Sequence, residues 1–223
     1  VAAASPQIVG LAGKPQYCGG YAPSPKNVLK QLTYLPFSKN RTRGIGIYSK
    51  YSNRAISVDW LMAALIVIRR KAIKEAGALD ESFFLYGEDM EFGLRLRHHG
   101  WQLHLLPWIR ALHYGGASSA KLQETNIMWL CGVFRIAARR LGRFSYLLFS
   151  LLLAFDFSMK FLVASIAGFY PGNKTEDYPG SRNLKIYAKT ALKFALNKPQ
   201  FAELFYKKNE QRLKEALCDI RQG

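Results

Sequence analysis

Apolar and polar positions follow more than one rhythm along this 223-residue chain. Up to about residue 120 they come in short runs and alternations, and beyond it in long helical stretches. Residues 6–13, PQIVGLAG, predict a short buried strand closed by glycine, and YCGGYAPSP is rich in turn formers. A turn or two of helix is expected in KNVLKQLTYL. The basic stretch SKNRTRGIGIYSKYSNRAI has no regular apolar period and reads as a long loop of the kind that often carries function. Residues 58–68, VDWLMAALIVI, are almost continuously apolar, which predicts a strand buried on both faces. RRKAIKEAGALD predicts a short helix with Ala72, Ile73 and Ala76 inward and Gly77 as its stop. GEDMEFGLRLRHHG predicts another, closed by Gly100, with acids in its first turn and Arg95 and Arg97 later, as the helix dipole favours. WQLHLLP alternates like a strand, Leu103 and Leu105 on one side and Gln102, His104 and Leu106 on the other. Strands and helices mixed in this way indicate an α/β domain.

The last hundred residues differ. Residues 124–170 are helical in pattern and very apolar. From Asn183 onward the pattern is amphipathic, with Phe201, Leu204, Phe205, Leu213, Leu217 and Ile220 on one apolar face. The run 144–170 is long enough to cross a bilayer, for which about twenty residues suffice. Asp156 and Lys160 interrupt it, each costing about 2.5–3.5 kcal/mol at a helix centre. Their i,i+4 spacing lets them pair. Arg135, Arg139, Arg140 and Arg143 precede the run, and Lys174, Arg182, Lys185 and Lys189 follow it. A single span would leave one basic flank outside, against the positive-inside tendency. Helices lying in or against the cytoplasmic leaflet fit better, with arginines meeting lipid phosphates. A buried helical hairpin is the soluble alternative.

Charge sharpens this picture. The net charge is +17, and it is unevenly spread. Residues 1–59 hold eight Lys/Arg against the single acid Asp59, and residues 121–223 hold seventeen against eight. Residues 60–120 are nearly balanced, seven against six, and all six acids fall between Glu75 and Glu91. Such basicity suits an anionic lipid or a phosphate-bearing substrate. Nucleic acid is disfavoured, because no zinc spacing, RNA-recognition signature or helix-turn-helix accompanies it. Cys18, Cys131 and Cys218 lie far apart without metal or redox spacing, which suits free thiols in a reducing cytoplasm. No signal peptide is read at the start, VAAASPQIVG.

The acidic island contains FFLYGEDMEF, residues 83–92, where two adjacent carboxylates follow an aromatic run. Acids at a helix N-terminus are commonly there for the dipole alone. The chemical alternative is a general base whose pKa is set by an apolar wall and a nearby charge. The surrounding pattern bears on the choice. Gly77-Ala78-Leu79-Asp80-Glu81, Phe83 to Tyr86, Glu88-Asp89, Arg95, Arg97, Gly100-Trp101, Pro107, His113, Gly115 and Ser118 occur in this order, after a Trp-bearing run and Arg69-Arg70. This block resembles the C-terminal half of the catalytic domain of family 2 glycosyltransferases, in particular the bacterial rhamnosyltransferase-like branch that builds O-antigen, capsule or cell-wall polysaccharide. About fifteen positions agree over about sixty residues. The resemblance is strong over 58–119, fair over 1–57 and weak beyond.

The resemblance implies a partial GT-A (Rossmann-like) glycosyltransferase domain over residues 1–122, followed by C-terminal membrane-associated helices over 123–223. Asp89 would be the catalytic base of an inverting transfer, and Glu88 would orient it or contact the acceptor. Trp60, Phe84 and Tyr86 would wall the acceptor site, with core packing open as the alternative for each. His113 matches the family's metal-binding histidine, implying a divalent ion (Mg or Mn) in the full-length enzyme and a nucleoside-diphosphate sugar as donor. His98, His99 and His104 have no such support. The acceptor would be a lipid-linked glycan at the cytoplasmic face of the inner membrane, with the protein peripheral or monotopic.

Two departures stand out. The family's strand position Gly-Ala reads Ala63-Ala64 here. The Asp-x-Asp metal motif that ends the family's nucleotide-binding half occurs nowhere in the chain. The sequence therefore reads as the acceptor side of a longer enzyme, inactive by itself. The alternative is a catalytically dead membrane scaffold that binds glycan or polysaccharide-synthesis partners.

Overall fold

Pairing in the N-terminal half is arranged around one long strand. The computed structural model describes residues 1–32, 43–49, 52–114, 125–166 and 181–222, and of residues 125, 126, 164, 166, 181, 182 and 216–222 the backbone only. Strand β1 (Ala3–Val9) runs parallel to β6 (Leu103–Leu112) and antiparallel to β5 (Val67–Ile68), while β3 (Ile56–Val58) lies antiparallel on the far side of β6. The four-stranded order is β3-β6-β1-β5. A second, two-stranded sheet pairs β2 (Gly19–Gly20) with β4 (Trp60–Leu61). In the β1–β6 ladder the register shifts between Pro6 and Gln7, so that Pro6 faces Leu106 and Gln7 faces Arg110. Pro107 lies in the skipped segment, where its missing N–H costs no ladder bond.

Among the described residues the helices are α1 (Pro25–Leu32), α2 (Arg70–Ala76), α3 (Glu88–His98), α4 (Thr125–Arg140), α5 (Arg143–Ile166), α6 (Ser181–Ala195) and α7 (Gln200–Gln222). The protein is thus mixed α/β. Gly77 follows α2 with φ 81° and closes it by donating to Ile73 O. Arg95 of α3 donates to the carbonyls of Ala76 and Ala78 and pairs with Glu91 at 2.9 Å, tying α2 to α3.

The 58–68 run is not the doubly buried strand its composition predicts. Asp59 breaks it: its carboxylate accepts from Ala22 N–H at 2.9 Å and pairs with Arg97 at 3.4 Å. The residues before Asp59 join β6 and those after it join β2. Ala63, Ala64 and Leu65 are exposed, and β5 is a two-residue strand whose Val67 is 71% exposed. The supposed loop, by contrast, contributes Ile45 and Ile47 to the core, and Ile47 exchanges backbone hydrogen bonds with Cys18 and Gly19.

Two apolar clusters result. One joins β1, β6, β4, α2 and α3 through residues such as Ile8, Leu61, Ala72, Leu96 and Leu103. The other crosses from the α/β part into the helical part, uniting Val28, Trp60, Phe83, Met90 and Leu94 with Phe134, Phe149, Phe194 and Tyr206. The 122/123 division itself falls outside the described residues. Asp156 and Lys160 do pair, at 2.5 Å, and both turn inward, where Asp156 also accepts from Gln31 of α1 at 2.7 Å. In α7, Phe201, Phe205 and Leu213 face the protein, but Leu204 is 68% exposed and leaves the predicted apolar face.

Candidate active site

The Glu88-Asp89 pair opens α3 on a backbone turn that few residues tolerate. Tyr86 has φ 61°, the only non-glycine with positive φ among the described residues, and Gly87 follows at φ 108°. Tertiary contacts hold this turn. Gly132 of α4 lies against it so closely that a Cβ there would stand 2.6 Å from Tyr86 O. On the other side Gly93 lets α3 approach β4, where a Cβ would stand 2.6 Å from Trp60 Cα. That approach brings Ala63 N–H to 3.2 Å from Asp89 Oδ2, while Met90 N–H donates to Asp89 Oδ1 at 2.7 Å. The exposed bend that broke the predicted strand therefore supplies a hydrogen bond to the carboxylate.

Burial, and secondly the neighbouring Glu88 carboxylate, push Asp89 up to about 6, against the pull of the two N–H donors. Burial also raises Glu88, whose Oε2 is buried without a hydrogen-bond partner among the described residues. A partly buried carboxylate near neutrality, beside a second one with a vacant acceptor, can take a proton from a neutral hydroxyl.

The aromatic residues divide. Trp60 is 6% exposed, and its indole N–H donates to Ile45 O at 3.0 Å, so it takes the core alternative. Phe84 is 38% exposed, with the Lys214 ammonium 4.8 Å from its ring centre. Tyr86 is half-buried beside the carboxylate pair.

His113 follows β6, its N–H on Val9 O at 2.9 Å and its Nδ1 3.2 Å from Gln16 Oε1. In the tautomer whose Nδ1–H donates to that amide oxygen, the lone pair of Nε2 is left for a ligand. Gln16 is itself buried, and its Nε2 has no partner among the described residues. No group of three His, Cys, Asp or Glu side chains is gathered there or elsewhere among the described residues, so they do not by themselves form a metal centre. Gly115 and Ser118 of the motif lie outside the described residues.

Three residues, Arg135, Glu203 and Tyr206, hold the segment just before the pair; sequence reading passed over the last two and placed Arg135 among the arginines meeting lipid, whereas it is buried inside the protein. Arg135 of α4, 2% exposed, stacks 4.3 Å from Phe83 and 4.5 Å from Tyr206, donates to Ser82 O, and pairs with Glu203 of α7 at 2.6 Å. Tyr206 Oη accepts from Leu85 N–H at 3.3 Å and donates to Leu85 O at 3.1 Å. Burial alone would raise Glu203, but Arg135 and Arg139 hold its carboxyl below the usual range. The only sequence signal was one arginine inside an otherwise apolar run, VFRIAA. Its partner lies 68 residues away.

The family model described as Glycosyl transferase family group 2 matches residues 26–173. The N-acetylglucosaminyl-diphospho-decaprenol L-rhamnosyltransferase of Mycobacterium tuberculosis (strain ATCC 25618 / H37Rv) is 34% identical over 64 residues, 29% of this chain and 21% of that protein. Rhamnosyltransferase WbbL of Escherichia coli (strain K12) is 30% identical over 84 residues, 37% of this chain and 32% of that protein. The matches thus span about a fifth to a third of the length of these curated relatives.

Proposed function

This chain belongs to glycosyl transferase family group 2, and from that premise we propose that it carries the acceptor side of an inverting, rhamnosyltransferase-like transfer in which Asp89 is the base. Asp89 takes the proton of an acceptor hydroxyl as that oxygen attacks the anomeric carbon of a nucleoside-diphosphate sugar. The new C–O bond forms as the bond to the diphosphate breaks, and the nucleoside diphosphate leaves with the electron pair. Glu88 orients Asp89 or accepts a second acceptor hydroxyl. The observation that carries the reading is Asp89 itself, raised to about 6 and fixed by Ala63 and Met90 at the mouth of α3.

The acceptor we propose is a glycan on a lipid diphosphate at the cytoplasmic leaflet. The printed name of the mycobacterial relative describes such a lipid-linked substrate for that protein, and the net charge of +17 suits a phosphate-rich one. His113 would offer Nε2 to a divalent ion, Mg or Mn. With no Asp-x-Asp in the chain, the 223-residue polypeptide alone is expected to bind sugar nucleotides weakly. Calorimetry showing tight, metal-dependent binding would overturn that expectation.

The decisive assay measures transfer by the polypeptide translated from the whole reading frame that encodes this segment. Asp89→Asn should lower the rate by about 10²-fold or more, the usual contribution of a positioned base. Full activity in that variant removes the assignment. The lone histidine and missing motif favour a second reading, a catalytically dead scaffold, and it predicts no transfer by the whole-frame product but retained binding of the lipid-linked glycan.

A further inference from the structure

Helix α5 is built inside out. From Phe144 to Val163, the exposed positions are Phe144, Leu147, Leu148, Leu151, Phe155, Met159, Leu162 and Val163, all apolar. Between Phe144 and Val163 the polar members of the helix turn inward. Ser150 and Asp156 are buried, and Lys160 is partly buried against Asp156. The exposed positions recur at steps of three and four, so they form one stripe along the helix. A soluble surface places its polar residues the other way round, and a contiguous apolar patch of this length marks an interaction surface.

The charges around the stripe indicate what covers it. Arg139, Arg140 and Arg143, all exposed, stand at its N-terminal end. Helix α6 packs along α5, with Tyr187 5.3 Å from Phe157 in ring centres; its exposed positions are Lys185, Ile186, Lys189, Leu192 and Lys193, and the exposed Leu196 follows its end. Lysines interleaved with aliphatic residues suit the boundary between acyl chains and anionic headgroups. A second copy of the chain would bring two bodies of charge +17 together, so self-association is the weaker choice.

The opposite face of α5 sets the geometry. Tyr146, Phe149, Leu153 and Phe157 are buried in the cluster shared with α4, α6 and the α/β part, and Asp156 is bonded to Gln31 of α1. A helix crossing the bilayer would drag these neighbours with it or expose a buried carboxylate to acyl chains.

We propose that the α5 stripe is a docking surface for an anionic bilayer, on which the helix lies in the plane of one leaflet without spanning it. This deepens the proposed function by specifying how the enzyme meets a lipid-linked acceptor. The two claims are tested separately, because Asp89→Asn leaves vesicle binding unchanged.

The test is co-sedimentation of the chain with vesicles of phosphatidylcholine alone and with added phosphatidylglycerol. The wild type should sediment with the anionic vesicles, resist high salt, and be released by alkaline carbonate. Leu151→Glu with Phe155→Glu, both on exposed positions, should lower binding at least tenfold while circular dichroism and thermal unfolding stay as in the wild type. Lys185→Gln with Lys189→Gln should weaken binding to anionic vesicles and leave the residual affinity for neutral ones. Equal binding by wild type and the glutamate pair, or no binding by the wild type, overturns the proposal. Retention after carbonate overturns the in-plane geometry. A dimer in light scattering that the glutamate pair dissolves, without vesicle binding, assigns the stripe to self-association and overturns it equally.

Discussion

Asp89 meets two opposing demands, and its titration separates them. As a base it must be ionised, so transfer should fall as the pH drops through about 6, the value its burial sets. Rates of the whole-frame product from about pH 5 to about pH 8 check this, with an acid limb near 6 that is absent from any residual activity of Asp89→Asn. Stability runs the other way. The folded state binds this proton more tightly than the unfolded chain, whose value is near 4. The resulting stabilisation is full below about 4 and is lost as the pH rises through 6, by about 3 kcal/mol. Asp89→Asn, uncharged throughout, should therefore raise Tm at neutral pH, less whatever the loss of one N–H acceptor costs, while lowering the transfer rate. A variant that lost both stability and activity would point to a structural role instead.

At the scale of elements, the carboxylate pair depends on how closely three backbones approach. Gly132→Ala puts a Cβ 2.6 Å from Tyr86 O, and Gly93→Ala puts one 2.6 Å from Trp60 Cα. Each should cost about 1–3 kcal/mol, as overpacking does, and displace the turn ahead of Asp89. Gly142, between α4 and α5, has open space within 4 Å of where a methyl group would stand, and it serves as the control, its alanine variant being neutral in thermal unfolding. Helix α7 acts on the same turn from further away. Tyr206→Phe leaves the N–H and C=O of Leu85 without their hydroxyl partner. A loss of about 1–3 kcal/mol is expected. Arg135→Met removes the bonds to Ser82 and Glu203 together with the guanidinium stacked on Phe83 and Tyr206, leaving the partly exposed Glu203 only Arg139 at 3.3 Å, and should cost more than Tyr206→Phe. Urea unfolding of the two variants gives the comparison, and Tyr206→Phe losing more than Arg135→Met would reverse the argument.

For the whole molecule the shared core matters most. Val28, Trp60, Phe83, Met90 and Leu94 pack with residues of α4 to α7 in one cluster. Residues 1–122 expressed alone would expose that surface. They should lack a cooperative unfolding transition, whereas the full chain should show one in calorimetry. The helical region is therefore as much a wall of the candidate site as an appendage to it. Its outward apolar stripe begins beside the exposed Arg139, Arg140 and Arg143.

The sequence by itself determined what depends on neighbours in the chain. Period gave the helices over 70–76, 88–98 and 125–166, and alternation gave the start of β6. The ordered motif from Gly77 to His113 singled out Asp89 and Glu88 ahead of the fold only through its resemblance to family 2 glycosyltransferases, since adjacent acids at a helix start suit the dipole alone. Tertiary structure alone decided the rest. It broke the 58–68 run at Asp59, whose partners Ala22 and Arg97 lie 37 and 38 positions away, and so made Ala63 a donor to Asp89. It buried Trp60, turned Asp156 and Lys160 inward, and brought Arg135 and Tyr206 onto the turn before the carboxylates. Hydrophobic pattern states that a residue is apolar, whereas the burial and charge that move a pKa are sums over neighbours that only the folded chain brings together.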